Sequence, residues 1–256
     1  MSAVRVEPLD AGAIWRVTFG ASRGNVIDRA LMVQLTRVFA DARQAQGLKT
    51  LILTGHGGHF SFGASVREHL PEHVRELLAD FRTLIVHMFD SRRFIIAAIE
   101  GQCLGGGLEL ASACHRIVAG AGAVLGQPEI ALGVFAPVAS ILLPERIGRV
   151  KAEELCLTGR RVNATDALQM GLVDQVVESS PAAEAAVEWA RAHLAAHSAS
   201  SLGFAIAAIR ADLAARIRVE LPRLEELYLS ELMSTHDAVE GLRAFLDKRP
   251  PIWRHS

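Results

Sequence analysis

The sequence lacks the features that mark nucleic-acid-binding and membrane proteins. Its 27 lysines and arginines nearly balance 28 aspartates and glutamates, and no block of basic residues stands out. An electrostatic footprint for DNA or RNA is therefore absent, and we expect no nucleic-acid partner. No apolar run approaches 18 residues without a charge or a helix breaker, so the sequence predicts no membrane span.

Cysteine is also scarce, with three residues at positions 103, 114 and 156. An odd number without Cys-x-x-Cys spacing disfavours a disulfide framework, and no charged-then-apolar leader opens the chain. We therefore expect a reduced, cytoplasmic protein. No period of 20–50 residues recurs in the sequence, which excludes repeat architectures.

Several cofactor and catalytic motifs are missing. The segment 120–126 places three residues where a dinucleotide-binding loop has two. His69 and His73 fit the spacing H-x-x-E-H of a zinc hydrolase, but Pro71 between them is best placed in the first helical turn. This placement leaves His69 outside the helix. We therefore expect no metal site and no cofactor.

What the sequence does contain is a regular alternation of strand and helix patterns. Half of its 256 residues are hydrophobic, so the chain can bury a large core. Apolar and β-branched runs predict strands at 4–8, 14–19, 49–54, 94–99 and 173–177. The sequence also predicts a turn at 159–162 and a helix that opens at Pro71. The alternation up to residue 125 predicts a layered α/β domain. Beyond residue 181 the pattern is helical, over 182–197, 203–218, 223–234 and 237–247.

A glycine-rich stretch stands at the centre of this pattern. The predicted strand 94–99 is followed by Gly105-Gly106-Gly107 and then by a helix that carries Glu109. Glycines let the backbone take positive φ and bring its N–H groups close to a ligand at the start of a helix. A second carboxylate, Glu129, follows Pro128 in another turn. The residues alone indicate an anion hole with two glutamates nearby, which could serve as acid and base.

The segments 101–111 and 126–130 resemble the signature of the crotonase (enoyl-CoA hydratase/isomerase) superfamily, and the likeness extends over nearly the whole chain. The resemblance implies an α/β fold with a crotonase/ClpP-like β-β-α spiral core over residues 1–195. It also implies a C-terminal helical region, 196–256, that covers the active site and joins subunits. The implied partners are an acyl-CoA thioester substrate, with CoA as part of the substrate, and further copies of the chain in a homotrimer or a dimer of trimers.

The resemblance also assigns roles to individual residues. Ala64 and Gly106 would supply the backbone N–H donors of an oxyanion hole, and Glu109 and Glu129 would be the catalytic pair. Phe62, Ser65, Phe135 and Pro137 would line the substrate pocket, whereas Phe245 and Lys248 would bind CoA. A basic helix end that complements the helix dipole is an equally good account of this last pair.

The chain departs from the family pattern in two places. Residues 134–140 replace a glycine-rich run whose N–H helps to place the water, and Pro137 has no N–H to donate. Ser65 stands where an aspartate is usual. These departures imply a pocket of different shape. The segments around them resemble the subgroup that hydrates cyclohexa-1,5-diene-1-carbonyl-CoA in anaerobic benzoyl-CoA breakdown.

Three alternatives stay open on the sequence. The protein could be a general short-chain 2-enoyl-CoA hydratase of fatty-acid β-oxidation, or an enoyl-CoA isomerase or ring-hydrolysing acyl-CoA enzyme that uses one glutamate. It could also be a non-enzymatic relative that binds RNA. Both glutamates are present and no basic surface is evident, which favours a hydratase.

Overall fold

The computed structural model describes residues 3–20 and 24–256, which form two sheets surrounded by helices. The strands are β1 (Val4–Leu9), β2 (Ile14–Phe19), β3 (Thr50–Gly55), β4 (Phe94–Ile99), β5 (Gln102–Leu104), β6 (Arg116–Gly120), β7 (Val124–Gly126), β8 (Arg161–Asn163) and β9 (Gln175–Val177). The larger sheet has the order β1-β2-β3-β4-β6-β9, and the smaller has the order β5-β7-β8. Among the described strands of the larger sheet, β1 pairs antiparallel with β2 and the other pairs are parallel.

In the described residues, ten helices connect and cover these strands. They are α1 (Arg29–Gln44), α2 (Val74–Asp90), α3 (Gly106–Ser112), α4 (Pro137–Ile147), α5 (Arg149–Thr158), α6 (Ala164–Gln169), α7 (Ala182–Leu194), α8 (Ala199–Ile209), α9 (Ala211–Glu226) and α10 (His236–Leu246). A π-helical turn, Leu227–Glu231, continues from α9.

Both faces of the larger sheet are buried. In β3, Leu51 and Leu53 belong to the core shared with α1 and α2, whereas Ile52 faces α7 and packs among its alanines. Side chains alternate across a strand, so a strand covered on both faces is apolar at most of its positions. This requirement explains why β3 and β4 read as continuous hydrophobic runs. Each fully buried leucine or isoleucine contributes about 1.5–3 kcal/mol.

The parallel strands bring three loops to one edge of the sheet. The loop 60–64 follows β3, the glycine turn follows β4 and β5, and the segment 126–129 follows β6 and β7. Pairing of β5 with β7 brings the glycine turn next to the segment 126–129. The N–H of Gly105 donates to the carbonyl of Gly126 at 2.9 Å. Ligands of α/β sheets bind beyond the carboxyl ends of the strands, so this edge is where a site is expected.

The C-terminal helices lie over the same edge. Helix α9 packs against α2 and α4, and α10 packs against the turns at 66–69 and 128–132. The predicted division at residue 195 falls between α7 and α8 and stays a prediction. No single helix in the described ranges is long and apolar enough to cross a membrane, although α7 and α8, bent by 101° at their junction, together have sufficient length and apolar character.

The α/β class and the strands predicted at 4–8, 14–19 and 94–99 are confirmed. Three predictions were wrong. The helix predicted to open at Pro71 begins at Val74, and the proline lies in the preceding turn. The predicted helix 203–218 is two helices that meet at Arg210. The predicted turn at 159–162 contains part of β8, because Arg161–Asn163 pairs with β7, a tertiary contact that no local pattern reveals.

Candidate active site

The turn that precedes α3 strongly favours glycine at position 105. Gly105 has φ of +52° and ψ of −127°, which side-chain-bearing residues rarely adopt. A Cβ atom there would also lie 2.4 Å from Oε1 of Glu129. The glycine therefore allows the carboxyl group of Glu129 to rest directly against the turn.

Two backbone donors next to this turn have no partner in the described part of the chain. A Cβ atom on Gly106 would lie 3.0 Å from the backbone nitrogen of Ala64, so the two backbones are in close contact. Throughout residues 3–20 and 24–256, neither the N–H of Ala64 nor that of Gly106 donates to another protein group. Unpaired N–H groups at such a site can receive a negatively charged oxygen. The structure thus brings together the two residues predicted to form an oxyanion hole.

The loop that carries Ala64 is held by two residues that sequence reasoning missed. Ser61 Oγ donates to the carbonyl of Asn25 at 2.8 Å and accepts from the N–H of Gly63 at 3.0 Å. The side-chain amide of Asn25 donates to the carbonyls of His56 and His59. Both side chains are fully buried. Their spacing of 36 residues carries no local signal, so the sequence could not reveal this support.

Glu109 projects from α3 toward the first turn of α4. Its side chain is buried, and its Oε1 atom accepts a hydrogen bond from the N–H of Ala139 at 2.9 Å. Burial raises the pKa of Glu109 to about 7, and the N–H groups of Ala139 and Val138 limit the rise because they stabilise the anion. A carboxylate at the start of a helix is favoured by the unpaired donors and by the dipole.

Glu129 has a different environment. Its Oε2 atom is buried without a hydrogen-bond partner in the described part of the chain. Burial, followed by repulsion from Glu109, raises the pKa of Glu129 to about 8. Two carboxyl groups in one site cannot both ionise freely, so they titrate as a coupled pair. The environment favours the anion on Glu109 and the proton on Glu129.

Both glutamates border a small cavity under α2 and α9. Its volume is about 20 Å³, which is the space of about one water molecule. The wall that faces the glutamates is mostly apolar and includes Leu77, Leu78, Phe81 and Leu221, with Ala64 at the side of the predicted oxyanion hole. A second cavity, of about 220 Å³, lies on the other side of Glu129 and Phe135 and is lined in part by Cys156 and Leu224.

The other predicted site residues divide into two groups. Phe135 and Pro137 line the small cavity, and their contact with substrate stays a prediction. Phe62 and Ser65 do not line it: the Phe62 ring is 47% exposed and packs edge-on against His59, and the Ser65 carbonyl accepts from His69. Their contribution to a pocket stays a prediction.

The two residues predicted to bind CoA lie farther along the chain. Phe245 near the end of α10 is 55% exposed, and Lys248 just beyond the helix is exposed. Neither lines the cavity beside the glutamates. Within one chain the predicted CoA contacts are therefore separate from the carboxyl pair.

Three polar residues near the carboxyl pair were missed by sequence reasoning. Arg82 and Glu225 line the small cavity and form an ion pair, and the hydroxyl of Tyr228 is buried without a partner in the described ranges. The Tyr228 ring packs against Phe135 at 5.3 Å between centroids. Burial raises the pKa of Tyr228, with further contributions from the charges of Glu129 and Glu109.

The histidines of the H-x-x-E-H segment are engaged elsewhere. His69 ends a short turn before α2 and its Nδ1 lies 2.8 Å from the carbonyl of Ser65, whereas His73 directly precedes the helix. No cluster of three or more His, Cys, Asp or Glu side chains suited to a metal ion occurs in residues 3–20 and 24–256. The expectation that the protein needs no metal or cofactor stays a prediction.

Comparison with known proteins agrees with this geometry. The profile of the enoyl-CoA hydratase/isomerase family matches residues 10–256. The chain belongs to the enoyl-CoA hydratase/isomerase family. One relative in this family is the cyclohexa-1,5-dienecarbonyl-CoA hydratase of Thauera aromatica, 44% identical over 244 residues, which cover 95% of this chain and 94% of the relative. Another is a probable enoyl-CoA hydratase of Rhizobium meliloti (strain 1021), 35% identical over 90% of both chains.

Solved structures of the enoyl-CoA hydratase/isomerase family share the fold. An enoyl-CoA hydratase/isomerase from Xanthobacter autotrophicus Py2 superposes with a TM-score of 0.84 at 27% identity and covers 97% of both chains. An enoyl-CoA hydratase from Bacillus halodurans reaches a TM-score of 0.88 at 20% identity, with 95% of this chain and 100% of the other covered. The crotonase fold predicted from the glycine-rich stretch is thereby confirmed.

Proposed function

We propose that this member of the enoyl-CoA hydratase/isomerase family adds water to cyclohexa-1,5-diene-1-carbonyl-CoA. The observation that carries the proposal is the pair of buried carboxyl groups, Glu109 and Glu129, which face one cavity. Ala64 borders the same cavity, and its N–H donates to no other group among the described residues. The relative from Thauera aromatica, named for hydration of this dienoyl-CoA, supports the substrate. A place in the anaerobic breakdown of benzoyl-CoA follows from that substrate.

In this proposal the thioester oxygen binds between the N–H groups of Ala64 and Gly106. Addition of water to a conjugated thioester shifts electrons onto that oxygen, and the two fixed donors stabilise the resulting charge. Loss of one such donor typically costs about 2.7–4 kcal/mol of transition-state stabilisation.

The two glutamates then divide the proton transfers. Glu109 is held as an anion by the N–H of Ala139. It takes a proton from water while the water oxygen bonds to the ring carbon. Glu129, kept protonated by burial and by its neighbour, gives a proton to carbon. Separated pKa values suit this division of acid and base.

The ring diene determines where the atoms of water go. The carbon that carries the thioester belongs to one double bond and is bonded to the other, so the two double bonds are conjugated. Addition of water in the 1,4 sense puts hydroxyl on one end of the diene and hydrogen on the other. One double bond remains between the two middle carbons. Because the two new bonds are at opposite ends of the diene, the acid and the base must reach different carbons.

The loop that follows Glu129 would shape the pocket for this ring. Phe135 and Pro137 line the cavity in place of the glycines usual in the family. Pro137 occupies the first position of α4, where a backbone N–H is not needed. The N–H groups of Val138 and Ala139, which follow it, are directed to Glu109. The departure at Pro137 is thus compatible with a working carboxyl pair.

CoA recognition would require a second subunit. Phe245 and Lys248 are exposed and do not border the cavity in their own chain. We infer that they contact the CoA moiety bound by a neighbouring copy, in a homotrimer or a dimer of trimers. The reaction itself needs only these side chains, backbone N–H groups and water, so we propose no cofactor beyond the CoA of the substrate.

A general short-chain 2-enoyl-CoA hydratase is the second candidate. It is favoured by relatives named as probable enoyl-CoA hydratases at 32% and 35% identity. The two candidates are tested by parallel measurement of kcat/KM for cyclohexa-1,5-diene-1-carbonyl-CoA and crotonyl-CoA. The proposal predicts strong preference for the cyclic diene, whereas efficient hydration of crotonyl-CoA with an inert cyclic diene would contradict it.

A further inference from the structure

The small cavity has a charged pair in the wall formed by α2 and α9. Nη1 of Arg82 on α2 lies 2.6 Å from Oε2 of Glu225 on α9, and both residues line the cavity that Glu109 and Glu129 border. The side chain of Glu225 is only 9% exposed. A buried carboxylate is costly unless it is paired, so displacement of Arg82 would leave an uncompensated charge.

The rest of this wall is apolar and close to the glutamates. Leu77 and Phe81 of α2 and Leu221 of α9 complete it. The cavity of about 20 Å³ is much smaller than the cavity of about 150 Å³ that holds a benzene-sized molecule. An acyl ring therefore requires that apolar side chains of this wall move aside, whereas the Arg82–Glu225 ion pair can continue to join the two helices behind them.

We propose that the Arg82–Glu225 pair closes the far end of the acyl pocket and selects compact acyl groups over long linear chains. The inference rests on the proposed function in one respect, that the acyl group enters the cavity beside Glu109 and Glu129. A compact ring can fill the pocket in front of the pair. The apolar tail of a longer chain must push the two charges apart, and this separation opposes its binding.

The test replaces both partners by alanine, Arg82→Ala with Glu225→Ala. This double substitution removes both side chains from the wall and leaves neither charge unpaired. We measure kcat/KM for crotonyl-CoA, 2-octenoyl-CoA and the cyclic dienoyl-CoA. Each methylene accommodated in an apolar pocket changes discrimination by about tenfold or more. We therefore expect the ratio of octenoyl-CoA to crotonyl-CoA to rise at least about tenfold.

A matched control comes from the same two helices. Arg218 of α9 and Asp90 of α2 form a second ion pair, and neither residue lines the cavity. The variant Asp90→Ala with Arg218→Ala should leave the chain-length ratio at the wild-type value. If the first variant does not fold, Arg82→Met with Glu225→Leu preserves volume and should give a smaller rise in the same ratio.

An unchanged ratio in a folded Arg82/Glu225 variant overturns the inference, as does an equal rise in the control. The chain-length ratio is measured with linear substrates alone. A failure of this inference can therefore be distinguished from a failure of the proposed function. A wild-type protein that hydrates linear acyl-CoA but not the ring would contradict the cyclic substrate, while the chain-length ratio would still decide the role of the pair. Turnover of no acyl-CoA at all would contradict both.

Discussion

The N–H of Ala139 donates a 2.9 Å hydrogen bond to Oε1 of Glu109. This contact joins the first turn of α4 to the carboxyl pair, because Ala139 is the third residue of that helix. Pro137, the first residue, has no N–H, and the N–H groups of Val138 and Ala139 that follow it are the donors to Glu109. The contact favours the anion on Glu109 over the anion on Glu129, which has an unpartnered oxygen in the described part of the protein.

Replacement of either carboxyl group should abolish most of the activity. We expect Glu109→Gln and Glu129→Gln each to lower kcat about 10²–10⁴-fold, the usual contribution of a positioned acid or base. The control is Glu153→Gln, an exposed carboxyl group on α5, which should retain wild-type kcat. A glutamine variant with near-normal turnover would exclude that glutamate from proton transfer.

The dependence of activity on pH should be bell-shaped. Activity falls as pH decreases through the Glu109 pKa of about 7, because the base becomes protonated. It also falls as pH increases through the Glu129 pKa of about 8, because the acid loses its proton. Steady-state kcat/KM across this range measures both limbs. A flat profile would contradict the assigned protonation states.

Burial of Glu129 should make the folded protein less stable as pH rises. A salt-bridged carboxylate has the opposite effect. The pKa of Glu129 is raised on folding from 4.5 to about 8, so folding favours its protonated form. The contribution of Glu129 to the free energy of unfolding is fully present below the pKa of the unfolded state. It is lost as pH rises through the pKa of the folded state. We expect Glu129→Gln to raise Tm by a few °C at high pH and by less near pH 5. Thermal melts that show no such difference would contradict burial of the charge.

The substitution Gly105→Ala should reduce stability and kcat far more than Gly122→Ala. In Gly105→Ala the new Cβ would lie 2.4 Å from Glu129 Oε1 in a backbone conformation with φ of +52°. Strain of this kind costs about 1–3 kcal/mol, and displacement of the carboxyl group should also reduce kcat. Gly122→Ala is the control, since no atom lies within 4 Å of its added Cβ. Chemical denaturation and steady-state assays compare the two variants, and equal behaviour would exclude the steric argument.

The sequence was most informative where a motif is local. Gly105, Gly106 and Glu109 lie in one turn and one short helix, and the structure places Glu129 against them as the resemblance implied. The strands β5, β7 and β8 have three residues each, which is too short for periodicity to reveal.

Contacts between distant segments could not be predicted. Arg82 and Glu225 are 143 residues apart, and each alone resembles an ordinary charged helix residue. The hydrogen bond from Ala139 to Glu109 depends on how α4 packs against α3. Its geometry follows from tertiary structure, whereas the sequence showed only that a proline replaces a glycine-rich segment.

The most direct test of the central claim is product analysis of cyclohexa-1,5-diene-1-carbonyl-CoA incubated with the protein in heavy-oxygen water. The account predicts a product heavier by one water molecule that carries the labelled oxygen, and loss of this product in Glu109→Gln and Glu129→Gln. A product of unchanged mass would indicate isomerisation, and an untouched substrate would remove the cyclic diene as substrate. Either result would contradict hydration of this diene by the two glutamates.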